Sequence, residues 1–261
     1  MKKPYISIIT AIKNAGQLLE KTIFSIKSQT LKDYEHVIID GVSDDDTLSF
    51  VTKHKEKYPM KLISEPDNGI SDAFNKGVRM ASGKWILFLG AGDELIGPTV
   101  LARLYPVLLK RENKIIVWGN VIFKDVTGKI GRWYNGDIST FRLKRYMCLP
   151  HQAAFHNRLF FDKYGLFNRD LKRTMDYDLI LRALPEIKGG YYDYDVAYML
   201  VGGQSQNVKA AMQEMLQVQK KHKVLPKHLL YGLYFWALLK DELKNLLGYS
   251  TLGLGPIQEK Y

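Results

Sequence analysis

Residues 65–95 read EPDNGISDAFNKGVRMASGKWILFLGAGDEL, and they place a loop, a helix, a buried strand and an acidic tip in succession. Helical periodicity runs from Ser71, a residue type that caps helices, through Ala81, and Gly83 suits the position just past the helix end. Trp85–Leu89 is an apolar run typical of a buried strand, and it leads into Gly-Ala-Gly-Asp-Glu. Open α/β sheets bind ligands at the carboxyl ends of their strands, so this stretch predicts carboxylates at a ligand site.

Strands and helices alternate through the first half of the chain. Further strands are predicted by apolar runs at 5–12, 36–39, 61–64 and 115–118. This alternation favours an α/β fold with a doubly wound, mostly parallel central sheet flanked by helices. The pattern becomes helical from Asn207 onward, so we predict a main domain over 1–205 and a helical C-terminal extension over 206–261.

The composition narrows the class of partner. A net charge of +11 over 261 residues favours an anionic partner such as a phosphate compound or an acidic membrane surface. No signature of a DNA- or RNA-binding module accompanies this charge, so we expect no nucleic acid. Cys148 is the only cysteine, which excludes an intrachain disulfide and fits a reducing, cytoplasmic location. The longest apolar run covers eleven residues, 229–239, which is too short to span a bilayer.

Acidic residues follow two of the predicted strands. Asp40 and Asp93 each come after at least three apolar residues, so both are expected at the same sheet edge. Asp93 and Glu94 also precede a helix, and capping that helix is the alternative role. Clustered carboxylates in a cationic protein favour Mg²⁺ or Mn²⁺, which usually also hold substrate phosphates. The sequence therefore points to a metal and a nucleoside-diphosphate ligand, although it has no Walker motif.

Five segments together resemble glycosyltransferase family 2, in the branch of bacterial polysaccharide-assembly enzymes. They are SIITAIKN (Ser7–Asn14), SIKSQT (Ser25–Thr30), IIDGVSDDDT (Ile38–Thr47), DNGISDAFNKG (Asp67–Gly77) and ASGKWILFLGAGD (Ala81–Asp93). The resemblance covers residues 4–95 and extends to about 205. It implies a GT-A fold, and an inverting transfer of a sugar from a nucleotide-diphosphate sugar to a glycan or lipid-linked acceptor with Mg²⁺ or Mn²⁺.

The same resemblance implies a set of site residues. Those expected to contact the donor are Thr10, Ala11, Asn14, Asp40, Asp67, Asp72, Asn75, Lys76 and Gly92. The family usually has D-x-D-D where this chain has Gly90-Ala91-Gly92-Asp93, so Asp93 and Glu94 are left as metal ligands. The paired acid that the family has at 40–41 is Asp40-Gly41 here.

The second half supplies the expected base. Residues 173–179, RTMDYDL, resemble the family's E-D-Y-D-L segment, which implies Asp176 as general base, although Met175 replaces the usual Glu. Capping of the helix that follows is the alternative role for Asp176. Four further residues are candidate acceptor or pocket residues, with structural roles as the alternative for the first two: His151, Gln152, Arg182 and Ser205.

The C-terminal region allows two interpretations. Five lysines between 209 and 227 precede the aromatic-rich apolar run 229–239, a pattern typical of helices at a bilayer interface. Contact through 229–247 would place the protein at the inner face of a membrane, whereas packing on the core or on a second subunit is the alternative. Two other functions also stay open: a non-catalytic sugar-nucleotide or glycan-binding module, and a nucleotidyltransferase, which would need a glycine-rich basic loop after the first strand.

Overall fold

The computed structural model describes residues 3–54, 58–124, 130–133, 138–200 and 208–246. Its strands are β1 (Ile6–Ile12), β2 (Tyr34–Asp40), β3 (Met60–Ser64), β4 (Trp85–Phe88), β5 (Glu94–Leu95), β6 (Ile116–Lys124), β7 (Ile130–Trp133), β8 (Ala154–Asn157) and β9 (Tyr191–Leu200). Its helices are α1 (Gly16–Lys27), α2 (Thr47–His54), α3 (Ile70–Met80), α4 (Val100–Lys110), α5 (Thr140–Arg145), α6 (Arg158–Tyr164), α7 (Met175–Arg182), α8 (Val208–Lys221) and α9 (Lys227–Leu246).

The strands form one sheet in the order β3-β2-β1-β4-β8-β6-β9-β5, with β7 paired to β6. Strands β3, β2, β1 and β4 are parallel, whereas β8 runs antiparallel to both β4 and β6. The chain moves outward from β1 to β3 and then returns to place β4 on the other side of β1. This reversal makes the carboxyl ends of β1 and β4 the topological switch point, where such sheets bind ligands. The α/β fold predicted from the sequence is confirmed.

Side chains of the central strands alternate between two apolar layers. Ile9 packs with Phe74 and Val78 of α3 on one face, and Ile8 packs with Leu104 of α4 on the other. Gly77 lets α3 lie directly on the sheet, because a Cβ there would come within 2.4 Å of Ile9 Cγ2. The glycine in the NKG sequence is thus explained by helix–sheet packing.

The C-terminal helices begin on the main body of the protein. Val218 and Leu230 belong to the same buried cluster as Leu179 of α7. Gln219 of α8 donates to the carbonyl oxygens of Lys144 and Arg145 at 3.2 and 2.9 Å. The helical interpretation of this region agrees with the structure, while the boundary at 205/206 stays a prediction because residues 201–207 lie outside the described ranges. None of the described helices has both the length and the apolar character that crossing a membrane needs.

One local expectation was wrong, and one expected strand is longer than predicted. Ser71 does not cap α3, since Gly69 is the N-cap residue and Ser71 Oγ donates to the carbonyl oxygen of Leu171 at 2.6 Å. The strand expected at 115–118 continues to Lys124, because β9 pairs with β6 along its second half.

Candidate functional site

Asp40 lies at the carboxyl end of β2 with no exposed surface. Its Oδ1 accepts a hydrogen bond from Ser43 Oγ at 2.5 Å, and its Oδ2 accepts one from Ser64 Oγ at 2.6 Å. The Ser43 amide also donates to both oxygens, at 3.3 and 3.2 Å. The buried carboxylate therefore fixes the loop after β2 to the end of β3.

The loops after β1 and β2 are fastened to each other. Asn14 has a positive φ of 51°, a conformation that Asn tolerates better than most residues. Its amide donates to Ser43 Oγ at 2.9 Å, and its Oδ1 accepts from the Asp44 amide at 3.1 Å. Asn14 thereby helps to build one wall of the switch-point crevice, where a donor contact was expected.

A second carboxylate lies beside Asp40. A Cβ on Gly41 would come within 2.4 Å of Asp67 Oδ2, so the space beside Gly41 is occupied by the Asp67 side chain. Asp67 Oδ1 accepts a hydrogen bond from the Gly69 amide at 2.8 Å, which orients the half-buried carboxylate. The loop between β3 and α3 thus brings a carboxylate next to the position where the family pattern has its second acid.

The first turns of α3 hold charged residues whose partners are within the protein. Asp72 Oδ1 lies 3.1 Å from Arg169 Nε, and Asp72 Oδ2 accepts from the Asn68 amide at 3.2 Å. Lys76 Nζ lies 2.9 Å from Glu65 Oε1 and donates to the carbonyl oxygen of Pro66 at 2.6 Å. The contacts that Asp72 and Lys76 make thus hold the segments around the start of α3 in place.

Asn75 joins α3 to the segment that precedes α7. Its Nδ2 donates to the carbonyl oxygen of Phe167, and its Oδ1 accepts from the Phe167 amide, both at 2.9 Å. The side chain is 2% exposed, and both polar groups of its amide are engaged. These bonds give Asn75 a structural role, and the expected donor contact stays a prediction.

The two candidates on β1, Thr10 and Ala11, contact other parts of the protein. Thr10 is fully buried, and its hydroxyl lies 2.9 Å from Nε2 of His36, which burial keeps neutral by lowering its pKa to about 3. Ala11 packs against the cluster that contains α3. The Thr10 hydroxyl is thus engaged by His36, and a donor contact of Thr10 stays a prediction.

Asp93 follows β4 at the other side of the switch point. Its Oδ2 accepts from the Gly90 amide and its Oδ1 from the Leu200 amide, both at 3.0 Å, and Gln152 also donates to it. The side chain is 6% exposed, and burial raises its pKa to about 7 against the effect of these bonds. Gly92 makes this turn possible, with a φ of +92° and no room for a Cβ beside Leu200.

In the part of the chain that the structure describes, the acidic tip does not assemble a metal centre of its own. Glu94 Oε1 is paired with Lys124 Nζ at 3.3 Å, and both oxygens of Asp93 already accept hydrogen bonds. Within the described ranges, no group of three or more His, Cys, Asp and Glu side chains is arranged to hold a cation. The expectation that Asp93 and Glu94 act together as ligands is not met by this geometry.

The His151-Gln152 pair divides between two roles. The His151 ring stacks on Phe88 with ring centroids 4.8 Å apart, and burial lowers its pKa well below the ordinary value. Gln152 reaches Asp93. His151 is thus a neutral packing residue behind β4, and Gln152 supports the acidic tip.

Asp176 lies in the first turn of α7 and is partly exposed. Its Oδ1 accepts from the Tyr177 amide at 2.8 Å, but the N-cap position belongs to Thr174. Burial raises the pKa of Asp176 to about 6, and the negative charge of Glu214 adds to the increase. This is the property that a carboxylate needs to act as a base near neutral pH.

Arg182 is engaged by groups of the protein. Arg182 Nη1 donates to the carbonyl oxygens of Tyr164 and Leu166 at 2.7 and 2.8 Å, and Nη2 binds Asp178 at 2.7 Å. Its role is to hold α6 and α7 together. Ser205 lies outside the described residues.

Sequence reasoning missed residues that organise the site. Ser43 and Ser64 bind Asp40, and a hydroxyl three residues after a strand-end Asp was the available signal for Ser43. Arg169 and Glu214 carried no signal, because their partners are far away in the chain.

The mostly parallel sheet with its flanking helices is the GT-A fold of glycosyltransferases. The structure is similar to S. aureus TarS 1-349 in complex with UDP-GlcNAc, with a TM-score of 0.67 at 14% identity over 92% of this chain and 73% of that one. It is also similar to the mannosyltransferase PcManGT from Pyrobaculum calidifontis in complex with GDP-Man and Mn²⁺, with a TM-score of 0.64 at 18% identity over 98% and 78%. Against a further TarS chain, the similarity spans 39% of that chain.

The family model for glycosyl transferase family 2 matches residues 7–170. A PGL/p-HBAD biosynthesis glycosyltransferase of Mycobacterium bovis is 33% identical over 213 residues, which cover 80% of this chain and 82% of the relative. The chain therefore belongs to glycosyl transferase family 2, and it is a glycosyltransferase.

Proposed function

We propose that the protein is an inverting glycosyltransferase that moves a sugar from a nucleotide-diphosphate sugar to a glycan or lipid-linked acceptor in surface polysaccharide biosynthesis. The observation that carries this proposal is Asp176, a partly exposed carboxylate whose pKa is raised to about 6. A carboxyl of this pKa is mostly ionised at neutral pH and is a stronger base than an ordinary aspartate.

In the proposed reaction, Asp176 accepts the proton of an acceptor hydroxyl while its oxygen attacks the anomeric carbon of the donor sugar. The bond from that carbon to the nucleoside diphosphate breaks on the opposite face, and the diphosphate leaves with the electron pair. One glycosidic bond forms as the bond to phosphate oxygen is lost, and the configuration at carbon inverts.

The donor is proposed to lie across the carboxyl ends of β1 and β4, between the β2 loop and the acidic tip. The Asp40–Ser43–Asn14 network supports a rigid wall there, and the net charge of +11 favours an anionic donor. TarS and PcManGT are similar chains whose structures hold UDP-GlcNAc and GDP-Man, which supports a UDP- or GDP-linked sugar.

The requirement for Mg²⁺ or Mn²⁺ stays a prediction. PcManGT was solved with Mn²⁺, which supports use of a divalent cation in this fold. In this chain the described residues offer Asp93 alone at the tip, with its oxygens already engaged. The proposed steps therefore involve only the residues of the protein and the two substrates.

We also propose that α9 binds an anionic membrane surface, which would bring the site to lipid-linked acceptors. Four residues on α9, at every fourth position, have large exposed apolar side chains: Tyr231, Phe235, Leu239 and Leu243. A cavity of about 400 Å³ at the start of α9 is lined by three lysines, Lys220, Lys223 and Lys227. Exposed apolar side chains beside lysines complement the acyl chains and headgroups of an acidic bilayer.

The cytoplasmic location of the protein stays a prediction.

The alternative of a non-catalytic binding module has one feature in its favour, the glycines at 90 and 92. A module that only binds a sugar nucleotide has no need of a partly exposed base with a raised pKa. Asp176 therefore favours the enzyme.

A thermal-shift screen tests the donor site. The intact chain is heated with UDP, GDP and their sugar conjugates, each with Mn²⁺ and with EDTA. Ligand at about 100 times its Kd adds about 2.7 kcal/mol of stability, which corresponds to roughly 5–10 °C for a chain of this size. If no nucleoside diphosphate raises the Tm under either condition, the proposed donor site is wrong.

A further inference from the structure

Glu214 of α8 binds the segment that leads into α7. Its Oε1 accepts from the amides of Arg173 and Thr174 at 2.8 and 2.7 Å, and from Thr174 Oγ1 at 2.8 Å. Its Oε2 accepts from the Lys172 amide at 3.2 Å. One carboxylate from the C-terminal region thus receives four hydrogen bonds from three consecutive residues.

These bonds are of the strong kind. Hydrogen bonds to an ionised carboxylate are shorter and roughly twice as strong as those between neutral groups. Burial alone would raise the pKa of Glu214, but the amides of Arg173 and Thr174 and the hydroxyl of Thr174 lower it below its ordinary value. Glu214 is therefore an anion at neutral pH, and it fixes the backbone just before α7 begins at Met175.

We propose that Glu214 is a positioning residue for the general base: it holds residues 172–174 and thereby sets the place and orientation of the Asp176 carboxylate. This inference rests on the proposed role of Asp176 as the base. Helix α8 would then have a role in catalysis, although it lies beyond the stretch that the family model matches.

The charge of Glu214 has a second effect on Asp176, through its pKa. Glu214 faces it from α8 and raises its pKa, in addition to the larger effect of burial. On α7 itself the other carboxylate is Asp178, whose charge is balanced by Arg182 and by Lys221 and His222 of α8. Glu214 is thus the carboxylate whose removal should make Asp176 a weaker base.

The test compares Glu214→Gln, which keeps the size and removes the charge, with Glu214→Asp, which keeps the charge. The exposed Glu242→Gln on α9 is the matched control for loss of a carboxylate. The intact chain is labelled with ¹³C at aspartate carboxyl carbons, and the Asp176 signal is identified by its loss in Asp176→Asn. Amide hydrogen exchange at 172–174 and UDP affinity are measured on the same samples.

We expect Glu214→Gln to titrate Asp176 at lower pH than the parent and to exchange the amides of 173 and 174 at least tenfold faster, with unchanged UDP affinity. In Glu214→Asp, the Asp176 pKa and the amide exchange rates should lie between those of the parent and those of Glu214→Gln. In Glu242→Gln, both should match the parent. Parental exchange rates at 173 and 174 in folded Glu214→Gln overturn the proposal even if the Asp176 titration moves, because loss of a nearby charge alone shifts that pKa. An unmoved Asp176 titration in the folded variant overturns it too.

Failure of the proposed function gives a different result. Retained transfer by Asp176→Asn would remove Asp176 as the base and with it the catalytic purpose of Glu214. In that case the Asp176 titration and the amide exchange would still respond to Glu214→Gln, so the two failures can be told apart.

Discussion

Asp178 Oδ1 lies 2.8 Å from His222 Nε2, so a fully buried carboxylate of α7 is bonded directly to the end of α8. Lys221 Nζ lies 3.1 Å from the same oxygen, and Arg182 binds the other oxygen at 2.7 Å. The helix that carries Asp176 is thereby tied to the C-terminal region by charge as well as by apolar packing.

Asp178→Asn should destabilise the protein by about 3 kcal/mol at pH 7, because the variant leaves three cationic or hydrogen-bonding partners around a neutral amide. Urea unfolding of the parent and the variant measures the difference. Asp162→Asn, which changes an exposed carboxylate of α6, is the control and should stay within about 0.5 kcal/mol. An equal decrease in the free energy of unfolding of Asp178→Asn and Asp162→Asn would contradict a special role for Asp178.

The pH dependence of this difference follows from the pKa. Burial alone would raise the pKa of Asp178, but the hydrogen bond from His222 and the charges of Arg182 and Lys221 lower it below the ordinary 3.8. A lowered folded-state pKa means that the stabilisation is present above pH 3.8 and is lost as the pH falls toward the folded-state value. The gap between parent and Asp178→Asn should therefore be constant from about pH 5 to 7 and shrink below about pH 4.

Asn75→Ala should lower stability and leave nucleotide affinity unchanged. The variant removes both hydrogen bonds to Phe167 and leaves the buried backbone amide and carbonyl of Phe167 without partners. Each unpaired group lowers the free energy of unfolding by about 1–3 kcal/mol. The measurements are urea unfolding and UDP binding by calorimetry, with the exposed Asn68→Ala as control. Unchanged stability combined with weaker UDP binding would restore the donor contact that the sequence pattern implied.

The parallel half of the sheet was predictable because its signals are local. Strands β1 and β4 are short, largely apolar runs, β2 ends in a Val-Ile-Ile run followed by Asp40, and the helices between the strands repeat on the helical period. The convergence of Asp40 and Asp93 at one edge follows from strand direction alone. The second half was less predictable, because β6 and β9 are paired through residues that lie more than 70 positions apart.

Site roles were less predictable than site positions. The motif DNGISDAFNKG predicts donor contacts on α3 through its resemblance to the family. It gives no information on the hydrogen bonds that Ser71 and Asn75 make with residues within 167–171. Thr10 likewise has a suitable residue type, but the alternation of β1 turns its hydroxyl toward buried His36. Glu214 left no trace in the sequence, since its ligands are backbone amides 40 to 42 positions earlier.

Asp176→Asn should keep UDP affinity and lose sugar transfer by about 10²- to 10⁴-fold, the range that general-base catalysis contributes. The asparagine retains the oxygen that accepts from the Tyr177 amide but cannot take a proton from the acceptor hydroxyl. Transfer is measured with the nucleotide sugar that gives the largest thermal shift. The parent's activity should fall as the pH drops below about 6, where Asp176 becomes protonated. Transfer at parental rates in Asp176→Asn would exclude it as the base.

Replacing the exposed aromatic residues of α9 should abolish binding to anionic vesicles without unfolding the protein. Phe235 and Trp236 are 64% and 55% exposed, and Lys240 lies 5.2 Å from the Trp236 ring centroid, within reach of a phosphate headgroup. The double variant Phe235→Ser, Trp236→Ser is compared with Phe24→Ser, which removes a 70% exposed aromatic ring from α1. Flotation with phosphatidylglycerol vesicles should recover the parent and Phe24→Ser but not the double variant, and phosphatidylcholine vesicles should recover little of any.

Because lysine–headgroup attraction is screened by salt, binding should weaken between about 0.05 and 0.5 M NaCl. Failure of the parent to float with anionic vesicles would contradict the membrane contact, and a dimer that dissociates in the double variant would assign the face to a second copy of the chain.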